Sequence, residues 1–250
     1  STPPLTESRV SDTRARVDDY RNQKSYGENL AYHLVRNRLR VRYANDLDNM
    51  EGVFRRQYEQ SSGQAAAAAR YGLAHVLIEQ DNPSEAIPHL RALLKGNEGY
   101  IIYAAELGIA LREAGYHDEA IALLEKHLER HPGNLTLGRS LADTHMKANN
   151  PERAARLYER MTREHGQDPT LWKDLAEAHG RAGNVIEVHR ARGERNLLLG
   201  DPEAAVREFR QALELAGSSH TRIEVLRERL GDANQRLNRM ETSARGAGGG

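Results

Sequence analysis

Apolar residues recur along this chain with the spacing of one helix face, and short polar stretches interrupt them. The stretch from Glu106 to Asn134 shows the pattern clearly: one apolar run ends at Gly115, a second follows, and Pro132 closes it. Comparable interruptions recur at "EQDNPSE", "KANNPER" and "LLGDPEA", where Asn, Asp, Gly and Pro can end one helix and start the next. No segment alternates with period two for long enough to form a strand. The pattern therefore predicts an all-α protein built from successive helix pairs.

The helix pairs form a repeat of fixed length. One leucine recurs every 34 residues, at Leu39, Leu73, Leu107, Leu141 and Leu175. The residue after it is small in four of the five cases. Thirteen residues after the leucine come Gly52, Ala86, Ala120, Ala154 and Val188. Small residues at fixed positions allow two helices to approach closely while larger neighbours fill the remaining space.

This pattern resembles the tetratricopeptide repeat, whose unit has 34 residues, a W-x2-L-G-x2-Y signature in the first helix and a small residue in the second. Trp172 and Leu175 have that spacing. The resemblance predicts a tetratricopeptide-repeat superhelix of antiparallel helix pairs.

The repeat phase also predicts where the segments of the chain begin and end. Ala205 matches the second-helix position but lies 17 residues beyond Val188, which is half a repeat. One helix must then close one repeat and open the next. The predicted segments are an N-terminal helix or linker (1–24), a degenerate helix pair (25–64) opened by a capping box of Ser25 and Glu28, a repeat array (65–216) with a half-repeat shift near 185–199, a C-terminal helix (217–241) and a disordered tail (242–250). The apolar stripe of the C-terminal helix favours a cap on the array over a coiled-coil dimer seam.

Composition limits the possible functions. The chain has 36 basic and 36 acidic residues, so its bulk charge does not indicate binding to nucleic acid or an anionic membrane. It has no cysteine, which excludes disulfides and thiolate chemistry. No apolar run reaches the length of a membrane-spanning helix, and the first residues lack the features of a signal peptide. A chain that starts at Ser1 is expected to be a piece of a longer protein.

No catalytic motif is apparent, and we predict that the chain is not an enzyme. The pair His127 and His131 in "HLERH" has the spacing of a zinc pair, but Glu129 does not occupy the place of the general base in H-E-x-x-H. A solvated helix end is the expected setting of this pair, and a metal-dependent hydrolase would need stoichiometric zinc. His145 and His179 occupy a repeat position that normally packs an aromatic ring, which predicts buried structural histidines. We expect no cofactor or metal in this chain.

The remaining candidate is a protein-binding groove. In arrays of this kind the first helices line the concave side at the second, fifth, ninth, twelfth and thirteenth positions of each repeat. This predicts groove residues Tyr71, His75, Ile78, Glu79, Ile102, Ile109, Arg112, Glu113, Arg139, Asp143, Met146, Lys147, Lys173, Glu177 and Arg181.

Three stretches carry a closer resemblance: "TPPLTESRVSDTRAR", "YHLVRNRLRVRY" and "VHRARGERNLLLGDPEAAVREFRQALELA". Together they resemble the carboxy-terminal half of periplasmic zinc metalloproteases of the β-barrel assembly-enhancing type. The family often has T-H-P where this chain has Thr2-Pro3-Pro4, so a role of that histidine is not carried over.

The resemblance implies a periplasmic location and a missing H-E-x-x-H domain that would hold the zinc. It further implies repeats that hold misassembled outer-membrane proteins, assembly machinery or the catalytic domain itself. The alternative is a free-standing scaffold that binds a peptide or a partner helix without any protease.

Overall fold

The computed structural model describes residues 29–247, and all regular secondary structure in that range is helical. The helices are α1 (Leu30–Arg42), α2 (Leu47–Gln60), α3 (Gly63–Glu79), α4 (Pro83–Leu94), α5 (Ile101–Glu113), α6 (His117–Arg130), α7 (Leu135–Lys147), α8 (Pro151–Glu164), α9 (Pro169–Arg181), α10 (Val185–Leu198), α11 (Pro202–Leu215) and α12 (His220–Ala247). None of these helices combines the length and apolar character that crossing a bilayer requires. The chain divides into two compact units, Ser1–Asn97 and Glu98–Gly250.

The helices begin and end at the short polar stretches that interrupt the apolar runs of the sequence. Asn134 accepts a hydrogen bond from the backbone N–H of Leu137 at 3.0 Å and caps α7. Asp201 caps α11 in the same way through the N–H of Ala204, at 2.9 Å. In the turn between α5 and α6, Gly115 adopts φ +84°, which residues with a side chain rarely adopt. The sequence signals therefore act locally, by satisfying helix ends and permitting the reversals between them.

In the first unit, α3 packs against α1, α2 and α4. Phe54 of α2 is fully buried against it, and Gly72 gives its ring the space it needs: a Cβ on Gly72 would lie 2.6 Å from the Phe54 Cε1. Asn37 of α1 is also buried, and its Nδ2 donates to the carbonyl of Ala68 at 2.9 Å. The interior of this unit is thus fixed by close helix approach and by a satisfied polar contact.

Helix α1 belongs to the pair that the sequence predicts to be degenerate, and it does not keep the burial pattern of the repeat. Leu39 is 50% exposed, whereas the four later leucines of the series are almost completely buried. Arg40 stands where the other repeats carry a small residue, and its guanidinium lies 4.9 Å from the centroid of the Phe54 ring in α2. Instead, α1 buries Leu30, Leu34 and Val41.

The second unit contains the regular repeats. Ala120, Ala154 and Ala205 are completely buried, as expected of close-approach positions. Gly108 of α5 lies so near Leu124 of α6 that a Cβ would come within 2.8 Å of its side chain. The small residues of the repeat therefore lie at helix contacts, which confirms the packing that the period predicts.

The predicted half-repeat shift falls at α10, which packs against both α9 and α11. The long helix α12 then packs on α11, where Leu226 and Ala233 are completely buried. Its apolar stripe is therefore covered by its own chain as far as Leu237, which is partly buried.

Three of the sequence predictions concern residues at the ends of the chain. The segment 1–24 and the capping pair Ser25 and Glu28 lie outside the described residues. The first described helix, α1, is capped by Asn29, whose side chain accepts from the N–H of Ala31 at 3.0 Å. Helix α12 continues to Ala247, beyond residue 241, where the sequence predicted its end.

Candidate protein-binding site

Six of the predicted groove residues line one cavity in the second unit. The cavity has a volume of about 250 Å³ and is formed by the first helices α5, α7 and α9. The six residues are Arg112, Asp143, Met146, Lys147, Glu177 and Arg181. Tyr158 and Asp174 complete the lining. We call this the Arg112 cavity.

Arg112 is the most enclosed cation of the cavity. Its Nε donates to the Oε1 of Glu113 at 2.8 Å, and its Nη1 lies 3.8 Å from the Oδ2 of Asp143. The second distance is within the range of an ion pair but too long for a hydrogen bond. The buried Nη1 has no hydrogen-bond partner among the described residues. Glu113 also accepts from the Nζ of Lys147 at 3.3 Å. Partial burial works against the charge of Glu113, but Arg112 and Lys147 outweigh it and lower the pKa of Glu113.

Tyr158 and Asp143 form the polar floor of the cavity. The hydroxyl of Tyr158 donates to the Oδ1 of Asp143. Burial raises the pKa of Asp143, although this hydrogen bond and the charge of Arg112 oppose the shift. Burial and the adjacent carboxylate also raise the pKa of Tyr158, so its hydroxyl stays protonated and remains a donor.

Arg139 is engaged by neighbours rather than directed into the cavity. Its Nη2 and Nε donate to the Oδ2 of Asp174 at 2.5 and 3.2 Å, and its Nη1 lies 4.0 Å from Asp168. Burial opposes the charge of Arg139, but the hydrogen bond to Asp174 and the negative charges of Asp174 and Asp168 together outweigh it and raise the pKa of the guanidinium. The sequence analysis did not predict the contact with Asp174 because it considered the first helix of each repeat by itself. Arg139 and Asp174 are one repeat and one residue apart, and this spacing was the signal that could have predicted the pair.

A second cavity of about 410 Å³ shares Glu177 and Arg181 with the Arg112 cavity. Lys173 of α9 also lines it, together with Arg192 and Arg195 of α10. Four of its side chains are therefore basic and only one, Glu177, is acidic. The sequence prediction missed both arginines of α10 because it applied the groove positions only to the regular repeats, although it expected α10 to open a further repeat. That predicted half-repeat shift was the signal that could have found them.

The structure places the predicted residues of α3 differently. Tyr71 is 0% exposed and His75 is 6% exposed, with their rings stacked at 6.3 Å between centroids. Because three helices pack around α3, these side chains lie in the interior of the first unit and not on an open surface. Ile78 is half-buried and Glu79 is exposed. In the second unit, Ile102 and Ile109 are half-buried and line none of the cavities described above.

The histidine predictions have mixed outcomes. His145 and His179 are buried, as the repeat position predicted. His127 is also buried, at 2% exposure, so the expected solvated helix end was wrong for this residue. It lies one turn after the buried Leu124, on the face of α6 that packs inward. Among the residues with described positions, no group of three or more histidine or carboxylate side chains could hold a metal ion.

Comparisons with known proteins agree with the repeat assignment. Residues 71–134 and residues 111–179 each match a family model described as tetratricopeptide repeat. No curated protein matches the chain.

A solved tetratricopeptide repeat protein from Parabacteroides merdae is 16% identical over 90% of this chain and 91% of its own, with a TM-score of 0.51. MamA from Desulfovibrio magneticus is 16% identical over 72% of this chain and 96% of its own, with a TM-score of 0.47. A thermophilic repeat protein from Thermus thermophilus is 17% identical over 83% and 100%, with a TM-score of 0.49. At such identities the likeness concerns the fold alone, and this fold is all-helical with tetratricopeptide repeats.

Proposed function

We propose that the chain is a protein-binding scaffold that holds a polypeptide segment in the Arg112 cavity and in the basic cavity beside it. The observation that carries this proposal is the convergence of residues from α5, α7 and α9 on one small recess. Three successive repeats supply its walls, which suits an extended ligand longer than a single side chain.

The polar groups define the chemistry of the segment. Lys147 is largely exposed beside Arg112, and its ammonium group can donate to a backbone carbonyl or a carboxylate of the ligand. The hydroxyl of Tyr158 is already used by Asp143, so that carboxylate offers its second oxygen to a ligand amide. The basic cavity favours an acidic residue at the end of the segment near Arg192 and Arg195.

A peptide library displayed on phage provides the test. We expect the purified chain to select peptides, and Lys147→Glu and Arg181→Glu to weaken the selected peptides about tenfold each, the loss expected for a charged contact. Arg207→Glu is the matched control, because Arg207 is an exposed arginine of α11 outside both cavities. Equal binding by all three variants would contradict the proposed site.

The finer part of the proposal concerns the protein to which this scaffold belongs. We propose the repeat region of a periplasmic zinc metalloprotease of the β-barrel assembly-enhancing type, acting in outer-membrane protein quality control. Three family-like stretches of the sequence support it, the last of which spans the half-repeat shift at α10. Zinc would be held by a catalytic domain outside this chain. The ligand would then be a misassembled outer-membrane protein, the assembly machinery or the catalytic domain.

The gene sequence upstream of Ser1 tests this finer proposal directly. An H-E-x-x-H motif in the same reading frame is the expected result. Degradation of an unfolded outer-membrane protein by the complete protease should then slow with Lys147→Glu and Arg181→Glu, but not with Arg207→Glu. A start codon next to Ser1 without a zinc motif would overturn the protease and leave the free-standing scaffold, which is equally compatible with the fold.

A further inference from the structure

The second helices of two neighbouring repeats form a separate cleft in the second unit. Helices α6 and α8 supply its walls and α7 contributes to its floor. The cleft has a volume of about 950 Å³, and none of its residues lines the Arg112 cavity or the basic cavity beside it. The function proposed above therefore leaves this surface unexplained.

The floor of the cleft is apolar. It includes side chains from all three helices and from the turn between α6 and α7: Leu128, Pro132, Leu141, Leu157 and Met161. Gly138 of α7 allows α8 to approach closely beneath the floor, because a Cβ at that position would lie 3.1 Å from the Met161 sulfur. A recessed apolar floor favours a ligand with side chains that can enter it.

One wall carries a row of four arginines, which we call the arginine row: Arg153, Arg156, Arg160 and Arg163 of α8. Their spacing of three, four and three residues places them on one face of the helix, one turn after another. All four are exposed. Within residues 29–247, no carboxylate oxygen lies within ion-pair distance of any of their guanidinium groups. Like charges one turn apart on a helix repel one another modestly, and an anionic group placed over the row would relieve that repulsion.

The opposite wall has the other sign. Glu125 and Glu129 of α6 are one turn apart, and both are exposed. They lie across an apolar floor from the arginine row, whose wall also carries Glu164 of α8, so one edge of the cleft is acidic and the other is mainly basic. A uniformly anionic polymer that filled the cleft would meet repulsion from the glutamates. A ligand with acidic groups on only one side avoids that repulsion.

We propose that the cleft between α6 and α8 docks a short amphipathic helix of a partner polypeptide, with its acidic side chains along the arginine row. Apolar side chains of that helix enter the floor, and the acidic groups, spaced one turn apart, meet the guanidinium groups one by one. Charge complementarity selects this occupant over a nucleic acid, because phosphates on both sides of a duplex would also face the glutamate wall. The recessed floor argues against a flat anionic membrane.

A designed peptide tests the proposal with the full chain. The probe is a fluorescein-labelled helical peptide with Glu at positions i, i+3, i+7 and i+10 and leucines on the adjacent face. Its twin replaces the four glutamates by lysines. Fluorescence anisotropy should show saturable binding of the acidic probe that weakens as salt is raised, and no binding of the lysine twin.

Variants then locate the bound probe. Arg156→Glu/Arg160→Glu should weaken the acidic probe at least about tenfold, because each lost charged contact is worth about that factor. Arg210→Glu in α11 is the matched control, since Arg210 is an exposed arginine outside this cleft. Glu129→Gln should strengthen binding by removing a repulsive charge. Lys147→Glu, in the Arg112 cavity, should leave this binding unchanged, so failure of one site is distinguishable from failure of the other.

Three outcomes would overturn the inference. The first is equal binding of the acidic probe by the wild type and the Arg156/Arg160 double variant. The second is absence of binding by a wild-type chain whose helical circular dichroism is intact. The third is preference for other polyanions: vesicles of phosphatidylglycerol and phosphatidylethanolamine, or a 20-base-pair DNA duplex, bound through the arginine row while the peptide is not.

Discussion

Gly193 of α10 offers a direct test of the close helix approach on which this fold depends. A Cβ at this position would lie 2.5 Å from the Cε1 and 2.6 Å from the Cζ of Phe209 in α11. Phe209 is 0% exposed, so its ring has no solvent-filled space into which it can move. We therefore predict that Gly193→Ala destabilises the second unit, although alanine is normally the better helix former.

Two opposing effects set the magnitude. Alanine in a helix interior is favoured over glycine by about 1 kcal/mol. Adding a methyl group to a packed interior costs about 1–3 kcal/mol, and a contact this short belongs in the upper part of that range. The net loss should be about 1–2 kcal/mol, which corresponds to a decrease in Tm of roughly 2–8 °C for a unit of this size.

Gly231 of α12 provides the matched control. No atom lies within 4 Å of an ideal Cβ at this position, so Gly231→Ala keeps the helix-propensity gain without the clash. We expect it to raise the stability by about 0.5–1 kcal/mol. Thermal unfolding followed by far-UV circular dichroism measures both variants, and the fluorescence of Trp172, the single tryptophan, reports on the second unit.

A double mutant separates the clash from other causes. Phe209→Leu shortens the ring side chain and should itself be destabilising, but it should also relieve the contact with the methyl group that Gly193→Ala introduces. The combined variant is therefore expected to lose less than the sum of the two single losses. If Gly193→Ala were as stable as the wild type, or if the two losses were additive, the close approach of α10 and α11 would be refuted.

Three further predictions concern single contacts in the second unit. Tyr158→Phe removes the hydroxyl that donates to Asp143 and leaves a partly buried carboxylate with one donor fewer. The free energy of unfolding in urea should fall by about 1–3 kcal/mol, and an unchanged unfolding midpoint would contradict this role of the hydroxyl. Burial lowers the pKa of His145 below its ordinary value of 6.5, so the unfolded state binds more protons and stability should decrease as the pH falls below 6.5. His145→Gln should flatten the stability profile between about pH 7.5 and 5, and an equally steep profile would count against the histidine. Arg229→Ala removes a guanidinium that donates to both carboxylate oxygens of Glu194. Because the pair is partly exposed, the free energy of unfolding should fall by about 1 kcal/mol. Hydrogen exchange should accelerate in α12, and unchanged rates would show that this pair does not hold the helix.

The helices and their contacts could be predicted because they depend on local and periodic features. Ala120 and Ala154 are buried since a small residue every 34 positions is sufficient to bring each second helix against its first. The failure at α1 is informative for the same reason. Leu39 matches the period, but it is 50% exposed, and the next position carries Arg40 instead of a small residue.

The open surfaces were harder to predict, because exposure depends on how many helices surround a given one. Tyr71 occupies the same repeat position as residues expected to face a ligand. In the first unit, however, α3 is surrounded by α1, α2 and α4, and the position becomes interior. A repeat consensus describes the helix pair and contains no information about additional helices.

The positions of charged residues in successive repeats could have predicted ion pairs that the sequence analysis did not. Several ion pairs of the second unit join residues about one repeat apart: Lys147 with Glu113, Arg139 with Asp174 and Arg229 with Glu194. Stacking places equivalent helices side by side, so residues one repeat apart, or one repeat and one residue apart, are spatial neighbours. By that rule Arg163 has Glu129 one repeat earlier, and Arg160 has Glu125 one repeat and one residue earlier. Both glutamates line the opposite wall of the cleft, so these charges face each other across the apolar floor. A ligand helix with acidic groups on one side only could therefore meet the arginines without facing the glutamates.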